Sequence, residues 1–199
     1  MLELIASGLA FDLTGLRPAV ASRLPAMEHR IGYEQVELHP HLETVSLAVG
    51  AHLAGAEALL PVVRMQAGLA ASLAELPGLE GIAWHPARSL VEPTLFRRQI
   101  GAWLAGGAFP ALGLTALARD PDGGLRSEGL AFFIGQELRI EPLAGRPVPG
   151  AAKLAVRLIH GLVEDGPVDK PIDLAGEGGE PLRMEPSPNG KFIRVWTKA

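Results

Sequence analysis

"ALGLTALARDPDGGLRSEGLAFF", residues 111–133, sets two apolar runs on either side of Asp-Pro-Asp-Gly-Gly. Proline presets the φ of a turn, glycine takes the positive φ of a tight reversal, and aspartate bonds its neighbouring backbone. The stretch reads as a β-hairpin, so the sheet around it is antiparallel there. "LRMEPSPNGKFIRVW" (182–196) repeats the signal, with Asn189-Gly190 between alternating runs.

Two amphipathic helices belong with these hairpins. Over 92–105, Phe96, Ile100, Trp103 and Leu104 fall on one stripe. Over 150–163, Ala151, Ala155, Leu158, Ile159 and Leu162 do the same, which leaves His160 on the solvated face with Lys153, Arg157 and Glu164. Towards the N-terminus the spacing predicts a strand over 2–12 and a helix from about Leu16, capped by Thr14 and stopped by Pro25 near Leu24. His29 would then be a solvated loop residue just past that helix. Strands follow over 33–38 and 44–51, then a helix over 57–76 ended by Pro77-Gly78, then a strand over 79–85. That order is βαββαβ. The fold class expected is α+β: a single compact domain of two ferredoxin-like halves, about 1–88 and 89–199. Its sheets would be mainly antiparallel, with helices packed on one face.

"SEGLAFFIGQELRI" (127–140) resembles a motif of the domain-of-unknown-function family four-two-six-one, Thr-x-Gly-Leu, then Phe-Gly, then Glu-Ile-Glu-Ile. Ser127, Gly129, Leu130, Phe133, Glu137, Leu138 and Ile140 fall in register, while Ile134 and Arg139 depart from it. The resemblance extends loosely over residues 45–170 and implies an α+β fold; it implies no reaction. Read as residues, the stretch is a strand with Leu130, Phe132, Ile134, Leu138 and Ile140 on one face, and Gly129 and Gly135 admitting a bulge.

Composition removes several function classes. With no cysteine there is no disulfide, thiolate metal site or cysteine nucleophile. The net charge of −4 and the absence of a basic stripe argue against nucleic acid as a partner. No segment reaches the roughly 20 apolar residues of a membrane helix, and "MLELIASGLAFDL" lacks the basic start of a secretion signal. The expectation is a soluble, cytoplasmic protein without membrane contact. Phosphate-loop, dinucleotide and nucleophile-elbow motifs are missing, so no cofactor is expected.

"VELHPHLE" (36–43) is the one metal-like pattern. In an extended chain Glu37, His39, His41 and Glu43 share a face, and imidazoles with carboxylates suit a divalent ion. Pro40 and a flip of the apolar phase at Val45 argue instead for an exposed corner, so no metal is assigned. For a ligand-binding cleft the candidates are Glu137, Arg139, His52 and His85, polar groups near strand ends. No catalytic residue is identified. The first reading is a non-catalytic interaction module that binds itself or another protein through sheet edges and aromatics. The alternative is an enzyme, or a small-ligand or metal-binding protein, with a cleft between the two halves.

Overall fold

The computed structural model describes residues 1–16, 18, 22–24, 26–33, 38, 39, 42–176 and 178–197. The chain divides into two units, Met1–Trp84 with Leu90–Gly107, and His85–Ser89 with Ala108–Ala199.

The first unit opens with a hairpin, β1 (Leu2–Ala6) and β2 (Leu9–Thr14), where one strand over 2–12 was expected. Ser7 and Gly8 both take positive φ, 51° and 79°, and make the mirror-image turn whose twist matches the strands it joins. The helix expected from Leu16 is also corrected. Gly15 has φ +85° and lies so close to the Thr44 carbonyl that a Cβ there would stand 2.4 Å from it, so the chain turns rather than winding on from Thr14. Residues 22 and 23, placed in that helix by the sequence, form β3 (Ser22–Arg23) instead. His29 follows in β4 (His29–Ile31), half-buried, rather than in a loop behind a helix. Most of the expected strand 33–38 lies outside the described residues.

β5 (Glu43–Thr44) pairs with β3, and β6 (Ser46–Val49) pairs with β2. A 3-10 turn, Ala51–Leu53, leads to α1 (Leu60–Leu73), with Pro61 in the first turn where its missing N–H has no intrahelical partner anyway. β7 (Ile82–Trp84), β8 (Ser89–Val91) and α2 (Pro93–Leu104) complete these elements. The sheets run β1-β2-β6 and β4-β8-β7. Phe11, Leu13, Val62, Val63, Ala67, Phe96, Ile100 and Trp103 are buried, the inward stripes of β2, α1 and α2. Arg64 of α1 closes the end of α2: Nη2 donates to the Trp103 and Leu104 carbonyls at 3.1 and 3.3 Å, and the guanidinium lies 4.6 Å from the Trp103 ring centroid.

In the second unit come α3 (Ala111–Leu114), β9 (Ala116–Arg119), β10 (Leu125–Glu128), α4 (Ala131–Ile134) and β11 (Glu137–Ile140). They are followed by α5 (Ala151–Asp165), β12 (Ile172–Ala175), β13 (Pro181–Pro186) and β14 (Phe192–Thr197). The strands form one sheet in the order β12-β13-β14-β11-β10-β9, antiparallel except for the β11–β14 pair. Leu125, Leu138, Ile140, Leu182, Met184, Ile193 and Val195 are buried on one face with Ala155, Ile159 and Leu162 of α5. Both turn signals hold, with Gly123 and Gly190 at positive φ. The chain is therefore α+β. Among the described residues the first unit opens with a hairpin, and the second reaches its sheet through two short helical turns and a single long helix, an order that differs from the expected βαββαβ.

The strand expected over 127–140 is broken by α4. The run Leu130–Ile134 is helical and ends at Gly135 with φ 77°. Gly129 also has positive φ, and a Cβ there would come within 2.9 Å of Ala87, so the backbone packs on Ala87 with no room for a side chain.

Candidate functional site

Glu137 starts β11, and its carboxylate turns back over the first amides of α4. Oε1 accepts from the Gly129 and Ala131 N–H groups at 2.8 and 3.1 Å, and Oε2 from the Leu130 N–H at 3.2 Å and from the Ser127 hydroxyl. The Ser127 oxygen in turn accepts the Leu138 N–H at 2.8 Å. This closed set satisfies the amides that a helix start leaves without intrahelical partners. It makes Glu137 the clasp of the turn.

Arg139 lies two residues further along the same strand. Nη1 meets Asp120 Oδ2 at 2.7 Å, Nη2 meets Asp122, and Nε lies 3.3 Å from Glu141 Oε1. Each guanidinium nitrogen thus faces a carboxylate. Partial burial works against the charge, but Glu141, Asp122 and Asp120 outweigh it and hold the Arg139 pKa above its ordinary value. Strand register explains the arrangement: Arg126, Arg139 and Arg194 stand directly opposite one another on β10, β11 and β14. Like charges in that row would repel. Asp120 bridges Arg126 and Arg139, Glu141 bridges Arg139 and Arg194, and Glu128 holds Arg126 Nη1 at 2.6 Å. A depression of about 210 Å³ lies on this face beside Arg139, Phe192 and Arg194.

The two histidines offered for a cleft stand in different units. His52 is exposed in the 3-10 turn of the first unit, with its imidazole over Gly50. His85 is exposed at the start of the turn His85–Ala87 in the second. His160 departs from its expected solvated place: it is half-buried, and Nδ1 accepts the Phe109 N–H at 3.2 Å. Ser187, in the loop ahead of β14, spends its hydroxyl on Asn189 and the Phe192 N–H.

Of the metal-like pattern, Glu37 and His41 lie outside the described residues. His39 is exposed, with its backbone N–H on Glu80 Oε2 at 2.7 Å, and Glu43 is exposed in β5 opposite Arg23. In the first unit a groove of about 460 Å³ runs between α1 and α2, floored by Gly68, Ala71 and Gly101 and crossed by the Arg97–Glu75 ion pair at 2.5 Å.

The open edges of the sheets were missed as particular strands. β1 and β12 each pair on one side alone among the described strands. Ile5 of β1 is 74% exposed, and all four residues of β12, Ile172 and Leu174 included, are exposed. Ser7-Gly8, a turn dipeptide inside an apolar run, was the available signal for β1. No family model matches this chain, and neither does a curated protein or a solved structure.

Proposed function

We propose that this chain is a non-catalytic binding module that makes its contacts by strand addition at open sheet edges. The observation that carries this reading is the contrast between occupied polar groups and unoccupied backbone. Glu137 and Arg139, the most site-like side chains of the sequence, are committed to a helix cap and to a charge ladder. β1 and β12 instead offer main-chain donors and acceptors next to exposed Ile5, Ile172 and Leu174. An extended segment laid on such an edge gains its affinity from main-chain hydrogen bonds and its selectivity from alternate side chains. The reading takes the protein to be soluble and cytoplasmic; no described helix is long and apolar enough to cross a membrane. The likeness of residues 127–140 to family four-two-six-one remains part of the proposal and adds no reaction to it.

The test is selection of a displayed random-peptide library on the purified protein, with amide exchange read on the complex. Selected peptides with alternating apolar residues that slow exchange in β1 or β12 support the reading. A metabolite or divalent ion that raises the melting midpoint saturably, with no peptide selected on either edge, overturns it. At 100 times its dissociation constant a ligand adds about 2.7 kcal/mol, a readily measured shift.

A further inference from the structure

The direction of the β1 backbone groups that pair with no described strand follows from the turn beside it. Ala6 and Leu9 flank a two-residue turn with positive φ at both positions, so this pair exchanges both of its hydrogen bonds. Bonding direction alternates along a strand. Leu2, Leu4 and Ala6 therefore turn their N–H and C=O groups towards β2, while Glu3 and Ile5 turn theirs outward. Of the usual guards β1 carries only the charge of Glu3: it contains no proline and no lysine, its ladder with β2 runs without a bulge, and Leu2 and Ile5 are 49% and 74% exposed.

Resting on the strand-addition reading above, we infer that the occupant of this edge is a second copy of the chain. The two β1 strands pair antiparallel about a two-fold axis through Leu4 and join two three-stranded sheets into one. Register and charge select one alignment of this pair. Leu2 and Leu4 share a sheet face with the buried Leu13 and Phe11, which stand opposite them on β2. A one-residue slip would bring Glu3 and Ile5 onto that apolar face. Among registers that keep the face, centring on Glu3 sets two carboxylates directly against each other, which is destabilising. Centring on Ile5 runs Glu3 against the turn residue Ser7, where the chain has left the strand.

Centring on Leu4 avoids both faults and uses all five residues of the strand. Leu2 faces the partner's Ala6, Leu4 faces the partner's Leu4, and Glu3 faces the partner's Ile5. The outward groups of Glu3 and Ile5 are then satisfied by about four main-chain hydrogen bonds. The contact is self-complementary, as a two-fold dimer requires. A strand pair of this size is a small interface, so the dimer forms reversibly and its population depends on concentration.

Sedimentation velocity of the full chain over a concentration series tests this, with Ile5→Glu and Ile5→Lys as variants. Ile5 is exposed, so both variants keep the fold, which a thermal melt verifies. The wild type should dimerise reversibly. Ile5→Glu sets a carboxylate against the partner's Glu3 at both ends of the pair and should weaken the dimer about tenfold or more. Ile5→Lys sets an ammonium there and should keep it, with added sensitivity to salt. Equal loss in both variants, or an undiminished dimer in Ile5→Glu, overturns the register and with it the proposal. A wild type that stays monomeric at every concentration but still takes a selected peptide on β1 or β12 overturns the self-pairing alone. A monomer that takes no peptide overturns the strand-addition reading as well.

Discussion

Four donors converge on the Glu137 carboxylate, three of them backbone amides at the start of α4. Removing it leaves those amides and the Ser127 hydroxyl to find other partners in a half-buried place. Hydrogen bonds to a charged group contribute about 1.5–3 kcal/mol, and Glu137→Ala should lose stability of about 2–3 kcal/mol in urea unfolding. Glu137→Gln keeps one accepting oxygen and should lose less. A normal unfolding midpoint for Glu137→Ala would contradict the structural role. Tyr33 gives a second prediction at this scale. Its hydroxyl donates to the Glu80 carbonyl at 2.7 Å and approaches the Val91 carbonyl at 3.1 Å. Burial first, then the Glu92 and Glu80 carboxylates, push its pKa up from 10.0 to about 12. Because the folded value is the higher one, Tyr33 contributes stability below pH 10.0 that is lost as the pH rises through about 12. It is the single tyrosine of the chain, so the phenolate absorbance reports it directly. The expected midpoint is near 12, and a midpoint near 10 would contradict the packing of residues 80 and 91 around the ring.

At the scale of elements, α2 depends on its first residue outside the helix. Glu92 Oε1 and Oε2 accept the Thr94 and Leu95 N–H groups at 2.9 and 2.6 Å, and Pro93 fills the position that needs no donor. Partial burial opposes the charge, yet these amides prevail and the Glu92 pKa is lowered. Its contribution is therefore complete above the ordinary carboxylate value of about 4.3 and is lost as the pH falls through the lower folded value. Glu92→Ala should cost about 1 kcal/mol at neutral pH, and the gap to wild type should close in acid; a gap independent of pH would remove the carboxylate cap from the explanation. This element was legible in the sequence because Phe96, Ile100 and Trp103 sit at helical spacing. α5 and the Asn189-Gly190 hairpin were legible for the same kind of reason, since period and turn chemistry agree locally. α4 was not. Leu130–Ile134 is a short apolar run whose period suits strand or helix, and the choice falls to the Glu137 carboxylate, which meets its amides only after folding. The occupied state of Arg139 was hidden likewise, because Asp120 and Asp122 reach it across the sheet register and not along the chain.

At the scale of the molecule, β1 in the first unit and β12 in the second pair on one side alone among the described strands, as do β6 and β9 at the other ends of the same sheets. β12 carries some protection, with Pro171 ahead of it and Asp173 held 3.3 Å from Arg183 of β13. β1 carries less, which makes it the stronger site for strand addition. The alternation of its hydrogen bonds gives a direct readout by amide exchange. In dilute solution Leu4 and Ala6, bonded to β2, should exchange slowly, and Glu3 and Ile5, pointing outward, should exchange fast. The measurement to make is exchange at Glu3 and Ile5 as protein concentration rises. Progressive slowing at these two amides, with Leu4 and Ala6 little changed, is the result expected of an edge that takes a second β1. Fast exchange at Glu3 and Ile5 at every concentration, alone and with each selected peptide present, would contradict β1 as a binding edge.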